Sequence, residues 1–420
     1  MKIRLVYIQI LLILLLFSPG PCFGQVIKNV ADTIRRGAVK IFLDCHYCDM
    51  NYIKKEIPYI NYVRDVREAQ VYILETTQNA GSGGEQYTFT FQGQREFKGM
   101  NDTLVYTSSP DQTNDIIRGK RTKMLKMGLM RYVARTPLFN EIEINHNAEL
   151  ENEEVIDNWN YWVFELRTSP WFSKEESYSW LELFNRIDIS RITPDLKFEV
   201  NAFLNYNRQR FIGDDNDTTY IRSTKSFDNL IAKSFGEHWS AGIRWDIGAS
   251  TWENLVFNCE FMPAIEYNLY PYSEATRKQL RFQYNAGVQF HNYIDSTLHN
   301  KTRETLYRHS LRIAYQVQEK WGSINLSLNG SSYFHEFSMN RLELNGFVRV
   351  RIFKGLSISI NGGVGYFNDL LNLAKGELSE AERLLRLKQQ ATTFKLNGGV
   401  SLTYVFGSIY NNVVNPRFGH

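Results

Sequence analysis

Two cysteines spaced two residues apart are the part of this 420-residue chain best equipped for chemistry. They stand in Asp44-Cys45-His46-Tyr47-Cys48-Asp49, after a run, Val39 to Leu43, that reads as a short buried strand and before a stretch, Met50 to Ile57, that reads as a short helix stopped by Pro58. Such a pair can do three things. Beside a helix start it can carry a lowered thiol pKa and exchange disulfides; in an oxidising compartment it can close as a structural bridge; with His46 it can ligate a metal. No thioredoxin-like strand order or matching proline loop follows, so the expectation is a structural Cys45–Cys48 disulfide with no metal and no cofactor. Cys259 falls in a strand pattern without an evident partner.

Other chemistry is thinner. Ser310 beside His309 and Ser338 near His335 supply the residue types of a barrel lipase or acyltransferase, but eight histidines among many serines make such neighbours common by chance. The loop Gly81 to Gly84 lacks the Lys and Ser/Thr of a phosphate loop and reads as a hairpin connection. The basic run Arg118 to Arg131 reads as a solvated helix face, and a net charge of +3 is too small to argue for a nucleic-acid partner. No catalytic residue is expected.

The elements that must position these residues come in two styles. Between Gln25 and about 150 the pattern is that of a small α/β domain: strands at Val39 to Leu43 and Ala69 to Leu74, antiparallel strands through Tyr87, Phe89 and Phe91 and back through Leu104 to Tyr106, then a helix. On that helix Ile117, Met124, Leu125, Gly128, Leu129 and Tyr132 share a face. From about 158 onward the period becomes two. In the segment from Leu196 the even positions Leu196, Phe198, Val200, Ala202 and Leu204 are apolar, while Lys197, Glu199, Asn201 and Asn205 alternate with them. Such segments, roughly ten residues long and repeated about a dozen times, are the pattern of an antiparallel transmembrane β-barrel. Strands are expected at, among others, 158–168, 254–268, 277–291 and 392–407, with long connections on the outer side and short ones on the inner.

In that register the wall facing the lumen carries Arg281 and Gln283 on one strand and Glu343, Arg349 and Arg351 on another, opposite Leu280, Phe282, Leu342, Leu344 and Val348. Those groups either line a selective channel or cross-link one another and plug a narrow barrel. The connection 369–391 has a different period: Leu370, Leu371, Leu373, Ala374, Leu378, Ala381, Leu384 and Leu385 recur at helical spacing, which predicts a helix in an outward-facing loop, either folded over the mouth as a lid or lying at the lipid interface.

The first residues bear on location. Lys2 and Arg4 precede the apolar run Leu5 to Phe17, and Cys22, Phe23 and Gly24 suit cleavage before Gln25; Pro21 is a poor neighbour for an acylated Cys22. The expected organisation is therefore a signal peptide (1–24), a periplasmic α/β domain (25–150) and an outer-membrane barrel of about twelve strands (151–420). The acidic segment Glu141 to Asp157 makes the join. No later run is apolar enough to span a bilayer as a helix, and the mean hydropathy is −0.36.

The ending Tyr404-Val405-Phe406-Gly407-Ser408-Ile409-Tyr410, continued by Asn411 to Phe418, with the strands before it, resembles the outer-membrane β-barrel proteins of the uncharacterised DUF481-like type. The likeness covers roughly the last 260 residues. It implies an aromatic-ended final strand, at Phe406 or Phe418, that is handed to the barrel assembly machinery, and residence among outer-membrane lipids. It implies no reaction. The expected role is thus non-enzymatic, structural or envelope-associated, with a periplasmic protein as the domain's partner; a passive or selective pore is the alternative.

Overall fold

The computed structural model describes residues 37–45, 47–80, 84–109, 111–141, 143, 159–212, 217–376, 392–408 and 410–412. The expected signal peptide, His46, Gly81 to Gly83, most of the acidic connector, Phe418 and the later part of the 369–391 connection lie outside these residues.

The first unit contains β1 (Lys40–Asp44), α1 (Met50–Glu56), β2 (Asn61–Tyr62), β3 (Val71–Asn79), β4 (Glu85–Gly93), β5 (Asn101–Thr107) and α2 (Asn114–Val133). Its sheet runs β2-β1-β3-β4-β5, parallel around β1 and antiparallel from β3 onward. Each helix starts at a side-chain cap: the Asp49 carboxylate accepts the Tyr52 N–H at 2.9 Å, and the Thr113 hydroxyl accepts the Ile116 N–H at 3.4 Å. Alternation along the strands then sorts the two faces. Ile41, Ile73, Phe89 and Phe91 bury themselves against Ile53, Leu125, Leu129 and Tyr132 of the helices. Phe42, Tyr72 and Leu74 form a smaller cluster with Val66 on the other face.

The second unit is one antiparallel sheet of twelve strands in chain order, from β6 (Trp162–Lys174) to β17 (Phe394–Tyr404). Between them lie β7 (Tyr178–Ile192), β8 (Leu196–Phe211), β9 (Thr218–Phe235), β10 (Trp239–Ser250), β11 (Leu255–Asn268), β12 (Lys278–Tyr293), β13 (Arg303–Glu319), β14 (Gly322–Tyr333), β15 (Glu336–Phe353) and β16 (Leu356–Phe367). The expected strand number holds. The sheet is open: among the described residues β6 and β17 are its edges and do not pair with each other. The expected contrast of loop lengths holds only in part. Residues 175–177 and 334–335 are short turns at the end expected to carry long loops, and 269–277 is a longer connection at the opposite end.

One face of this sheet is apolar and uncovered. Leu166, Leu204, Ile231, Ile243, Phe261, Ile265, Leu342, Leu344, Ile360, Leu396 and Val400 are all exposed. The opposite face is polar and partly buried, with Gln289 only 4% exposed and Asn207 only 6%. That is the reverse of a water-soluble sheet, which buries its apolar side.

The α/β unit sits on the rim formed by the turns β13–β14 and β15–β16. Arg351 Nη2 reaches Asp44 Oδ2 at 2.9 Å while its guanidinium lies over the Phe42 ring. Lys354 Nζ meets Glu68 at 2.6 Å, and the Gly355 N–H donates to Asp65 Oδ2 at 2.7 Å. Gly355 is forced to be glycine, since its φ is +75° and a Cβ there would stand 2.0 Å from the Val405 carbonyl oxygen. After β17 the chain returns to this unit, where Asn412 Oδ1 accepts the Tyr62 N–H at 2.7 Å and Asn412 Nδ2 donates to Asn61 at 2.9 Å.

At the far end, 369–376 corrects the expected helix: it is a turn followed by a bridge between Thr297 and Ala374. Leu371 packs with Leu306 and Tyr333 on the polar side of the sheet, and Arg341 Nε holds both oxygens of Asp369 at 3.2 and 3.1 Å. The leucine spacing reflects burial against strands, and the remainder of that predicted helix lies outside the described residues.

α2 approaches β4 most closely at Gly128, where a Cβ would stand 2.1 Å from the Phe91 ring. The ring is completely buried, so it has nowhere to turn. Gly128→Ala should therefore cost about 1–3 kcal/mol by overpacking, more than the roughly 1 kcal/mol that alanine returns as helix propensity. The loss should be visible as faster hydrogen exchange of the α2 amides; unchanged protection would mean that the ring can move aside.

Candidate functional site

The cysteine pair lies where β1 ends and α1 begins, and its sulfurs are joined as a disulfide with Cα atoms 5.9 Å apart. What surrounds it was not legible from the motif. Glu75, on β3, has its side chain 1% exposed and brings Oε2 to 3.3 Å from Cys48 Sγ and 3.4 Å from Cys45 Sγ. Arg121, on α2, pairs with Glu75 Oε1 and sets Nη2 3.1 Å from Cys48 Sγ and 3.5 Å from Cys45 Sγ. Its guanidinium is held over the Tyr87 ring at 4.7 Å. Four elements thus converge on one disulfide: β1, β3, β4 and α2.

Electrostatics sharpen the arrangement. Burial pushes the Glu75 carboxyl up to about 7, although the Arg121 ion pair by itself pulls it down. Asp49 moves the other way: the Tyr52 N–H, and after it Arg118 at 2.8 Å, hold its carboxyl below the ordinary range. Asp44, next to Cys45, accepts the Tyr72 hydroxyl at 2.7 Å as well as Arg351, which ties the cysteine loop to the rim of the large sheet. Cys45 and Tyr47 open on a chamber of about 1150 Å³ between the α/β unit and strands β13 to β15, lined also by Gln316, Asn325, Arg349 and Arg351.

The metal reading does not fit. Cys45, Cys48 and Glu75 bring potential ligand atoms within 4.8 Å of one another. The guanidinium of Arg121, however, touches both sulfurs and the carboxylate, and it occupies the position a cation would need. His46 lies outside the described residues.

The five residues expected along the lumen share the polar face but form no single centre. Arg281 Nε lies 3.7 Å from Glu266, which also stands opposite Gln283 in the register. Glu343 pairs with Arg341 at 3.4 Å. Arg349 Nε donates to Ser359 at 3.2 Å and lines the chamber, whereas Arg351 is spent on Asp44 and the Lys320 carbonyl at 2.8 Å. The serine–histidine neighbours are not dyads. His309 and Ser310 are consecutive strand residues and so point to opposite faces; His309 stacks on Phe334 at 4.7 Å, while Ser310 Oγ accepts from Asn285 at 3.2 Å. Ser338 Oγ donates to Glu336, and His335 lies against Tyr333.

Glu75 and Arg121 were missed as site residues, though a signal existed. Glu75 directly follows the apolar run Val71-Tyr72-Ile73-Leu74, and Arg121 is four residues from both Ile117 and Leu125, on the helix's apolar face. Each is a charge where the pattern calls for a hydrophobe.

Comparison of the chain with protein-family models, with characterised proteins and with solved structures finds no match. Its chemistry therefore rests on its own residues.

A raised carboxyl pKa has a definite stability sign. Below about 4.5 Glu75 is neutral folded and unfolded, so its contribution is fully present; as pH rises through about 7 the folded carboxyl must ionise while buried, and that contribution is lost. The drop should be on the order of 3 kcal/mol. Glu75→Gln should flatten it, so thermal unfolding of the α/β unit in wild type and variant should diverge between those two pH values. Parallel curves would place the carboxyl's ionisation elsewhere.

Proposed function

We propose that the chain is an outer-membrane β-barrel whose strands β6 and β17 close on each other in lipid, and that it anchors an α/β domain on its periplasmic rim rather than serving as an open pore. The observation that carries this reading is the uncovered apolar face from β6 to β17, opposite a polar face partly buried within the fold. An uncovered face of that extent is stable in lipid, not in water. Leaving both edge strands unpaired in a bilayer would cost several kcal/mol for each orphaned backbone group, which favours closure. The likeness of the last strands to DUF481-like barrels points the same way, as does an N-terminal segment that reads as a secretion signal.

Two features favour a plugged barrel over a channel. The α/β domain covers the short-turn rim through Arg351, Lys354 and Gly355, and residues 369–376 fold inward at the other end through Leu371 and Asp369. Lipid and the assembly machinery are the partners of the wall, and a periplasmic protein is the partner of the domain.

Leu344→Arg should impair assembly by roughly 2–4 kcal/mol if that position lies near the bilayer midplane, while a serine at Asn345, on the other face, should be tolerated. Heat-modifiable gel mobility in reconstituted membranes reads this, and equal tolerance at both positions would sink the barrel reading. The purified protein should also give no steady conductance in planar bilayers; stable open channels would favour the pore.

A further inference from the structure

We propose that the Cys45–Cys48 disulfide is an exchangeable oxidant, which accepts two electrons and two protons from a dithiol entering the chamber beneath the α/β domain. The inference departs from the structural-disulfide expectation and does not depend on whether the large sheet closes.

The argument begins with what the neighbours of the two sulfurs can stabilise. A disulfide sulfur carries neither charge nor proton, so a guanidinium 3.1 Å from Cys48 Sγ and a carboxylate oxygen 3.3 Å from it gain little while the bridge is closed. Once the bridge opens, both gain. Arg121 then faces a thiolate, and Glu75 can accept the proton of a thiol. Interactions that favour the reduced pair make the disulfide a stronger oxidant. A bridge serving stability alone has no use for a carboxylate kept 1% exposed at its side. Between the cysteines Tyr47 is held at φ 62°, a left-handed conformation that L-residues rarely adopt, and is 89% exposed.

Position assigns the order of events. Cys45 is the cysteine that lines the chamber. A substrate thiolate attacks Cys45 Sγ, the Cys45–Cys48 bond breaks, and its electron pair passes to Cys48 Sγ, whose thiolate Arg121 stabilises until it takes up the proton that the substrate thiol released. The second substrate thiolate then attacks the substrate sulfur of the mixed disulfide and expels the Cys45 thiolate, which takes up the second proton. The substrate leaves as a disulfide, and Cys45 and Cys48 remain as thiols. The chamber, at about 1150 Å³, admits either a small dithiol or a cysteine pair on a polypeptide segment.

The test uses the full chain in detergent micelles, equilibrated in glutathione redox buffers, with free thiols trapped by a maleimide. A synthetic peptide of residues 44–49, which lacks Glu75 and Arg121, is the reference. The chain should be half-reduced at a ratio of squared reduced glutathione to oxidised glutathione at least about tenfold lower than the peptide requires. Arg121→Met should move it toward the peptide value, and Arg121→Lys should move it less. A chain that resists reduction as well as the peptide, or better, overturns the proposal, because the fold would then be stabilising the closed bridge. In a second arm, the Cys48→Ser variant, its Cys45 thiol first charged as a mixed disulfide with thionitrobenzoate, should exchange that group for mercaptoethanol, for a reduced one-cysteine peptide, or for both, releasing thionitrobenzoate, and which of them is trapped identifies the source of the thiol. Failure with both overturns the proposal as well.

Discussion

An antiparallel strand has only two faces, and along β6 to β17 the face rich in Leu, Ile, Val and Phe is the one turned away from the rest of the chain. Much of the remaining architecture answers to that constraint. Polar side chains on the other face cannot all reach bulk water, so they satisfy one another across the sheet. Gln279 bonds Gln316 at 2.8 Å, Gln289 bonds Glu260 at 2.8 Å, and Asn205 bonds Glu182 at 2.9 Å. Cross-strand bonding of this kind also fixes register, because a slip of one residue would put every such pair on the apolar side.

The same polar face explains how the α/β unit is held. Its contact with the rim is built from ion pairs and backbone hydrogen bonds, with Phe42 beneath Arg351 as its aromatic element. The charged partners keep some contact with solvent, so individual bridges contribute little and the joint depends on several acting together. The return of the chain to Asn61 and Tyr62 through Asn412 adds a second attachment distant from the first in sequence. Asp44 belongs both to this joint and to the cysteine loop, so any change in the loop's geometry is felt at Arg351.

Legibility in the sequence followed the range of the interactions. The period of two is clear in strands such as β11 and β12, which the pattern places at 254–268 and 277–291 and which occur at Leu255–Asn268 and Lys278–Tyr293. β2 was invisible because two residues show no period; parallel pairing with β1 and the side chain of Asn412 make it a strand. β3 was cut short at Leu74 because Glu75 looks like the start of a loop, yet pairing with β4 carries the strand to Asn79. At Leu371 and Leu373 a helical spacing was produced by burial against strands, which no local pattern could distinguish.

The candidate site failed to show itself for a related reason. A CxxC motif is local, but the groups that decide its chemistry come from β3 and α2, Glu75 from 27 residues beyond Cys48 and Arg121 from 73. Without them a bridge between neighbouring cysteines reads as a staple, and a short loop gains little from closure entropy. With them, the fold spends a buried carboxylate and a restrained arginine on two atoms that need neither while they are bonded to each other. The arrangement is economical only if the bond opens, so the same two residues that hide the site from the motif supply the physical reason to regard it as reactive.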